Sequence, residues 1–277
     1  MGESAKGRLA RRIGVRLICV NAVFFVMAGT ESFFTSGCRC HTLTLRMSRY
    51  LRISSGCFCM HDSLAQFLSG VHHDPFSILG YRFSGENAFL RVYRPAAIQV
   101  SVETSSGFSV MTDKGQGIFE WQGLTRETLP HPHIEASYAH GQPHRVIDPY
   151  SFLPDLDAQQ LEVFGASEMP DAYQLLGAHI RSIDNVDGVR FAVWAPNAQR
   201  VSVVGDFNLW DGRMHSMRNR GNSGIWELFV PGIEAGLLYK YEIVSREGVT
   251  LPLKSDPFGN QFRMRPDTAG IVAAHSQ

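Results

Sequence analysis

The chain repeats itself, and the repeat limits what it can fold into. Asp74-Pro75-Phe76-Ser77-Ile78-Leu79-Gly80 is echoed 97 positions later by Asp171-Ala172-Tyr173-Gln174-Leu175-Leu176-Gly177. Leu90 to Pro95, followed by Val100-Ser101-Val102, returns as Phe191 to Pro196, followed by Val201-Ser202-Val203. Gly117-Ile118-Phe119-Glu120 returns as Gly224-Ile225-Trp226-Glu227, and Asp148-Pro149-Tyr150 as Asp256-Pro257-Phe258. Order is kept throughout, so two copies of one module are expected in tandem.

The module is β-rich. Phe191, Val193 and, beyond the Pro196-Asn197-Ala198 turn, Val201 and Val203 recur at period two, the mark of two strands with one buried face. The other apolar runs are short, alternating and separated by Gly, Pro, Asn or Asp. That pattern predicts an all-β protein of two tandem immunoglobulin-like β-sandwich modules with short connecting helices, over residues 60–157 and 158–277. Each copy opens on a helix: Asp62 can cap a segment whose Leu64, Phe67 and Leu68 share a face, and Asp157 precedes Leu161 and Phe164 in the same way. A module of about 100 residues folds alone only modestly. The two are therefore expected to share an interface, with a helix in the linker near Leu153 to Gly165.

Residues 1–59 differ in kind. They hold nine Lys or Arg against Glu3 and Glu31, a net of +7 in a chain whose total formal charge is zero, and they contain all five cysteines, Cys19, Cys38, Cys40, Cys57 and Cys59. The basic start and the apolar run Leu17 to Ala28 read as a secretory signal with a poor cleavage site at Ala28-Gly29-Thr30. The run is too short to span a bilayer, which needs about 20 residues. Cys-x-Cys beside His41 reads as a metal site, although structural zinc spacing has two or more intervening residues. The break in composition at Met60 favours a third reading, a poorly ordered or upstream-translated extension. On that reading the protein is cytoplasmic; on the first it is exported.

In the second copy, Gly205-Asp206-Phe207-Asn208-Leu209-Trp210-Asp211-Gly212 places large aromatics beside small polar residues at a loop apex. A sugar ring has apolar C–H faces and a rim of hydroxyls, so a flat aromatic beside Asn, Asp or Lys can hold one. An aromatic there can equally plug the end of a sandwich. The first copy has Glu103-Thr104-Ser105-Ser106-Gly107-Phe108 in this place, so a sugar platform is expected in the second copy alone. Trp194 and Trp226 fall within strand patterns and are expected in the core. Trp210 is the residue assigned to a ligand surface, with Asn208 and Lys240 available to bond hydroxyls.

Five motifs in this order, Phe191-Ala192-Val193-Trp194-Ala195-Pro196, the loop from Gly205 to Gly212, Ser223 to Leu228, Tyr239 to Glu242 and Lys254 to Phe258, closely resemble the glycogen-binding-type module of 1,4-alpha-glucan branching enzymes. His72-His73-Asp74-Pro75-Phe76-Ser77-Ile78-Leu79-Gly80 looks like the opening of the bacterial enzymes, and together the likeness runs from about Met60 to Ala273. The resemblance implies that Trp210 and Lys240 contact an α-glucan. A second aromatic, frequent after the Tyr-Lys strand, is missing from Glu247-Gly248-Val249-Thr250, so binding of glycogen or maltooligosaccharides is expected to be weak.

Catalysis needs other residues. Branching enzymes use a carboxylate nucleophile and a carboxylic acid/base at the strand ends of a (β/α)₈ barrel, which takes about 250 residues. Gly188-Val189-Arg190-Phe191-Ala192 imitates the nucleophile motif, but Phe191 stands where the aspartate belongs. The expectation is a non-catalytic front part of a branching enzyme, with no catalytic residue, no cofactor, no metal, and a surface that would pack on the absent barrel. His131, His133, His140 and His144 are read as hairpin surface. Scattered Lys and Arg offer no nucleic-acid motif, and no apolar run after Met60 has membrane length. Other readings stay open: a stand-alone glycogen-targeting adaptor, a ligand-free structural sandwich, and the front of a debranching or trehalose-releasing enzyme.

Overall fold

The structure is a computed structural model that describes residues 18–20, 23–25, 63–165 and 171–274. The chain divides into two units, Met1–Ile53 and Ser54–Gln277. In the first, strands β1 (Ile18–Val20) and β2 (Val23–Phe25) pair antiparallel. The remaining expectations for residues 1–59, export signal, cysteine metal site and disorder alike, lie outside the described residues.

The second unit holds both copies. Helix α1 (residues 63–68) precedes β3 (Gly80–Ser84), β4 (Asn87–Tyr93), β5 (Gln99–Thr104), β6 (Gly107–Val110), β7 (Thr112–Asp113), β8 (Ile118–Leu124), β9 (His133–Ser137) and β10 (His144–Ile147). Helix α2 (Ala158–Gly165) then leads into β11 (Gly177–Ile183), β12 (Val186–Trp194), β13 (Ala198–Gly205), β14 (Arg218–Asn219), β15 (Ile225–Pro231), β16 (Leu238–Ser245), β17 (Gln261–Phe262) and β18 (Gly270–Ile271). Four antiparallel sheets result, β3-β4-β8-β7 and β10-β9-β5-β6 from the first copy, β11-β12-β15-β14 and β13-β16-β18-β17 from the second. The duplication seen in the sequence is thus a duplication of strand order: β4 lies between β3 and β8 as β12 lies between β11 and β15.

Alternation decides what each strand buries. Leu90, Val92, Val100, Val102, Phe119, Trp121 and Ile134 form the interior of the first sandwich. Phe191, Val193, Val201, Val203, Trp226, Leu228, Tyr239 and Tyr241 form that of the second. This second core does not stop at the module boundary. Phe67 of α1, Ile78, Leu79, Tyr93, Ile118 and Tyr150, all from the first copy, belong to the same buried cluster. The expected interface is therefore continuous hydrophobic interior.

Polar groups pin the seam. Ser216 N–H donates to the Tyr150 hydroxyl at 3.0 Å, Gln199 Nε2 donates to Val71 O at 3.0 Å, and the Arg218 guanidinium lies 3.7 Å over the Phe76 ring. His131, expected on a free hairpin surface, instead stacks on Phe152 at 3.9 Å and bridges Ser151 Oγ and Asp184 Oδ2, each at 3.0 Å. The linker is held as well. Asp157 and Gln160 cap α2 reciprocally, Gln160 N to Asp157 Oδ1 at 2.7 Å and Asp157 N to Gln160 Oε1 at 3.0 Å. Leu161 and Phe164 then pack on a cluster of Leu156, Leu175, Leu176, Ala192 and Ile225 on the outer face of the second module.

Candidate functional site

The loop after β13 is built from inside outward. A Cβ on Gly205 would stand 2.2 Å from Leu238 O and 2.6 Å from the Phe207 ring, so only glycine lets the chain turn here. One helical turn follows, and then Leu209 and Trp210 both adopt left-handed backbone, with φ of +54° and +61°. Two successive non-glycine residues in that region cost about 1–3 kcal/mol each, and such strain persists only where the surroundings impose it.

Asn208 imposes it. Its Oδ1 accepts from Gly205 N at 2.9 Å, while Nδ2 donates to Val203 O and to His215 Nδ1, each at 2.9 Å. The side chain is 1% exposed. This corrects the expectation that Asn208 reaches a sugar hydroxyl, since its amide is engaged inside the loop and shapes it. His215 must be neutral at Nδ1 to accept, and burial, with the positive Arg94 nearby, pushes its pKa down to about 3.

Trp210 is held at the apex. Its backbone N–H donates to Gly205 O at 3.1 Å and its indole N–H to Asp206 Oδ1 at 3.0 Å, leaving the side chain half-buried beside Leu209, which is 87% exposed. Lys240 lies opposite Val204 on β16, at the same end of the sheet. Its ammonium turns to Asp267, bonding the backbone carbonyl and pairing with Oδ1 at 3.6 Å. Lys240 is therefore available to a ligand only beside Asp267, a partner 27 residues away that the local sequence does not announce.

Behind the loop, Arg213 grips Asp211 with two parallel bonds, Nε to Oδ1 at 3.0 Å and Nη2 to Oδ2 at 2.8 Å, and lies 5.2 Å over the Tyr93 ring of the first module. Burial pulls the Asp211 carboxyl upward, but this charged grip holds it below the ordinary aspartate value.

Of the two strand tryptophans expected in the core, one departs. Trp226 is in the core, 1% exposed, but Trp194 is 55% exposed, with Phe164 of α2 edge-on at 6.4 Å. The alternation that turns Val193 inward turns its neighbour outward, so parity was the signal that locates Trp194. Phe191, at the place a catalytic aspartate would need, is 0% exposed in the sandwich core.

Comparison with known proteins gives this architecture its relatives. Residues 60–150 match the model of the N-terminal domain of alpha-1,4-glucan branching enzyme GlgB, and residues 175–259 match carbohydrate-binding module 48, the isoamylase N-terminal domain. The class is thus a tandem of β-sandwich modules, the second of the carbohydrate-binding type. The chain is 46% identical over 205 residues to the 1,4-alpha-glucan branching enzyme GlgB of Methylococcus capsulatus, covering 74% of this chain and 28% of that protein. With the Cellvibrio japonicus enzyme it shares 42% identity over 227 residues, 78% of this chain and 31% of the relative. This chain belongs to the 1,4-alpha-glucan branching enzyme family, of which it carries the amino-terminal region, and it spans less than a third of these relatives' length. Among solved structures, a pullulanase of Anoxybacillus sp. LM18-11 complexed with maltotriose aligns with 70% of this chain and 27% of its own, at 16% identity and a TM-score of 0.30, too distant a likeness to bear on the site.

Proposed function

We propose that this chain is the glucan-holding, non-catalytic front part of a branching enzyme, whose family transfers α-1,4-glucan chains to form α-1,6 branches. The observation that carries this reading is the Trp210 loop, a tryptophan fixed at a surface apex by a buried asparagine and a strained backbone, within a module matched as carbohydrate-binding. The indole face would stack on a glucosyl ring, with Lys240 donating to hydroxyls at the edge of the site. One half-buried aromatic at the surface with two or three hydrogen bonds supplies about 1–3 kcal/mol after competition with water, so binding is weak.

Electrophoresis through gels containing glycogen tests this. Wild-type protein is expected to be retarded, and Trp210→Ala to migrate as it does without glycogen. Unchanged migration of the wild type, or equal retardation of the variant, would remove the assignment.

A further inference from the structure

Trp210 borders a cleft of about 330 Å³, at the small end of the roughly 300–1,000 Å³ typical of ligand sites. Its walls come from both modules. Trp210, Arg200 and Glu242 form one side, and Leu68, Ser69 and Gly70, where helix α1 ends, form the other.

The floor is polar. Arg200 is 4% exposed; Nη1 donates to Gly212 O at 3.1 Å, Nη2 bonds Glu242 Oε1, and Nε, itself buried, has no partner among the described residues. A buried guanidinium nitrogen without an acceptor is uncommon and costly. Among the described residues the other Glu242 oxygen has no hydrogen-bond donor, and the side chain is 20% exposed. A guanidinium and a carboxylate side by side set N–H donors next to an acceptor, the two functions that neighbouring sugar hydroxyls can bond.

The opposite wall approaches closely. A Cβ on Gly70 would lie 3.7 Å from Arg200 Nη1, and the residue's φ of +75° favours glycine. Both walls are also fixed relative to each other, because Arg213, three residues beyond Trp210, lies over Tyr93.

We propose that the α-glucan binding site is composite: a chain stacked on Trp210 continues into this seam, over the Arg200–Glu242 pair, with residues 68–70 of the first module as its second wall. This rests on the reading of Trp210 as a glucan platform and adds a role for the first module. The site selects a chain of several glucosyl units over a single one, since one ring on Trp210 would leave the cleft unfilled.

The test uses the full chain with maltoheptaose as probe, followed by calorimetry and by amide-resolved NMR, on wild type, Ser69→Leu and Trp210→Ala. Ser69 is exposed, and leucine there adds bulk to the wall without an aromatic face or a donor. Amide shifts are expected at both 68–70 and 205–213, with binding weakened about five-fold by Ser69→Leu and about ten-fold by Trp210→Ala, some 1.0 and 1.4 kcal/mol. Shifts confined to 205–213, or Ser69→Leu binding as tightly as wild type while Trp210→Ala loses affinity, would overturn the composite site and leave the Trp210 reading intact. Wild-type affinity in Trp210→Ala would sink both. Should Ser69→Leu fail to fold, the wild-type shift map decides alone.

Discussion

The two modules share a strand order and differ at their ends and outer faces. Where the second carries the Trp210 loop between β13 and β14, the first joins β5 to β6 by a tight turn at Ser105 and Ser106, with Thr104 paired to Gly107. Tyr93 and Trp194 close equivalent strands. Tyr93 is 2% exposed, covered by Phe67 at 5.4 Å and by Arg213 of the next module, whereas Trp194 is 55% exposed with only Phe164 beside it.

Glu120 and Glu227 also hold the same position. Arg91 satisfies Glu120 from across the strand, Nε to Oε1 at 2.7 Å, on a face open to solvent. In the second module Ala192 replaces that arginine, Leu156 packs into the room it leaves, and Glu227 accepts the N–H groups of Asp155 and Leu156 at 2.7 and 3.0 Å while its other oxygen bonds Arg220. The two modules keep the same sandwich interior and differ at their surfaces, a tight turn in the first standing where the second has the Trp210 loop.

The largest contrast should come from the strand-end aromatics. Tyr93→Ala removes a buried ring from the shared core and is expected to cost about 3–5 kcal/mol, while Trp194→Ala should cost under about 1 kcal/mol. Urea unfolding of the two variants measures this, and equal losses would mean that the seam contributes nothing special.

The second contrast concerns the repeated aspartates. Asp256 Oδ2 accepts the hydroxyls of Tyr239 at 2.7 Å and Tyr241 at 3.3 Å, but Asp148 Oδ2 has no partner among the described residues. Burial, offset partly by Arg94, raises the Asp148 pKa from 3.8 to about 6. Native protein therefore holds this proton more tightly than the unfolded chain does. Its contribution to stability is full below pH 3.8 and is lost as pH rises through about 6. Asp148→Asn should accordingly stabilise by up to about 3 kcal/mol at pH 8 and by little at pH 3.5. Burial raises the Asp256 carboxyl as well, but the Tyr239 and Tyr241 hydroxyls and Phe258 N–H bond its charged form, so Asp256→Asn should destabilise by about 1–2 kcal/mol as those bonds are disturbed. Denaturant midpoints against pH decide, and a gain for both variants would abolish the contrast.

A smaller effect separates the loop from the turn. With the His215 pKa lowered from 6.5 to about 3, the unfolded chain binds the proton first, so stability is lost as pH falls below 6.5. His215→Gln, which can still accept from Asn208, should flatten that fall. The same slope in both proteins, read from thermal unfolding between pH 7 and pH 4, would remove His215 from the account.

Much of this was legible in the sequence. Repeated motifs located both modules, and the alternation of Phe191, Val193, Val201 and Val203 located the core. The same alternation, applied one residue further, places Trp194 outside; taking all strand tryptophans as core overlooked it. Asn208 and Lys240 could not be read locally. What fixes them is His215 and Asp267, brought close only by the fold. His131 was hidden for the same reason, its partner Asp184 lying in the other module.

The interior that runs from Phe67 and Tyr150 into Phe191 and Val203 has a historical consequence. Because the second copy's interior takes in residues of the first, while the first keeps a further core of its own, removing either copy would expose apolar surface at the seam. The pair becomes a single heritable cassette, and the old joint between the copies survives only as a trace in the spelling of the chain.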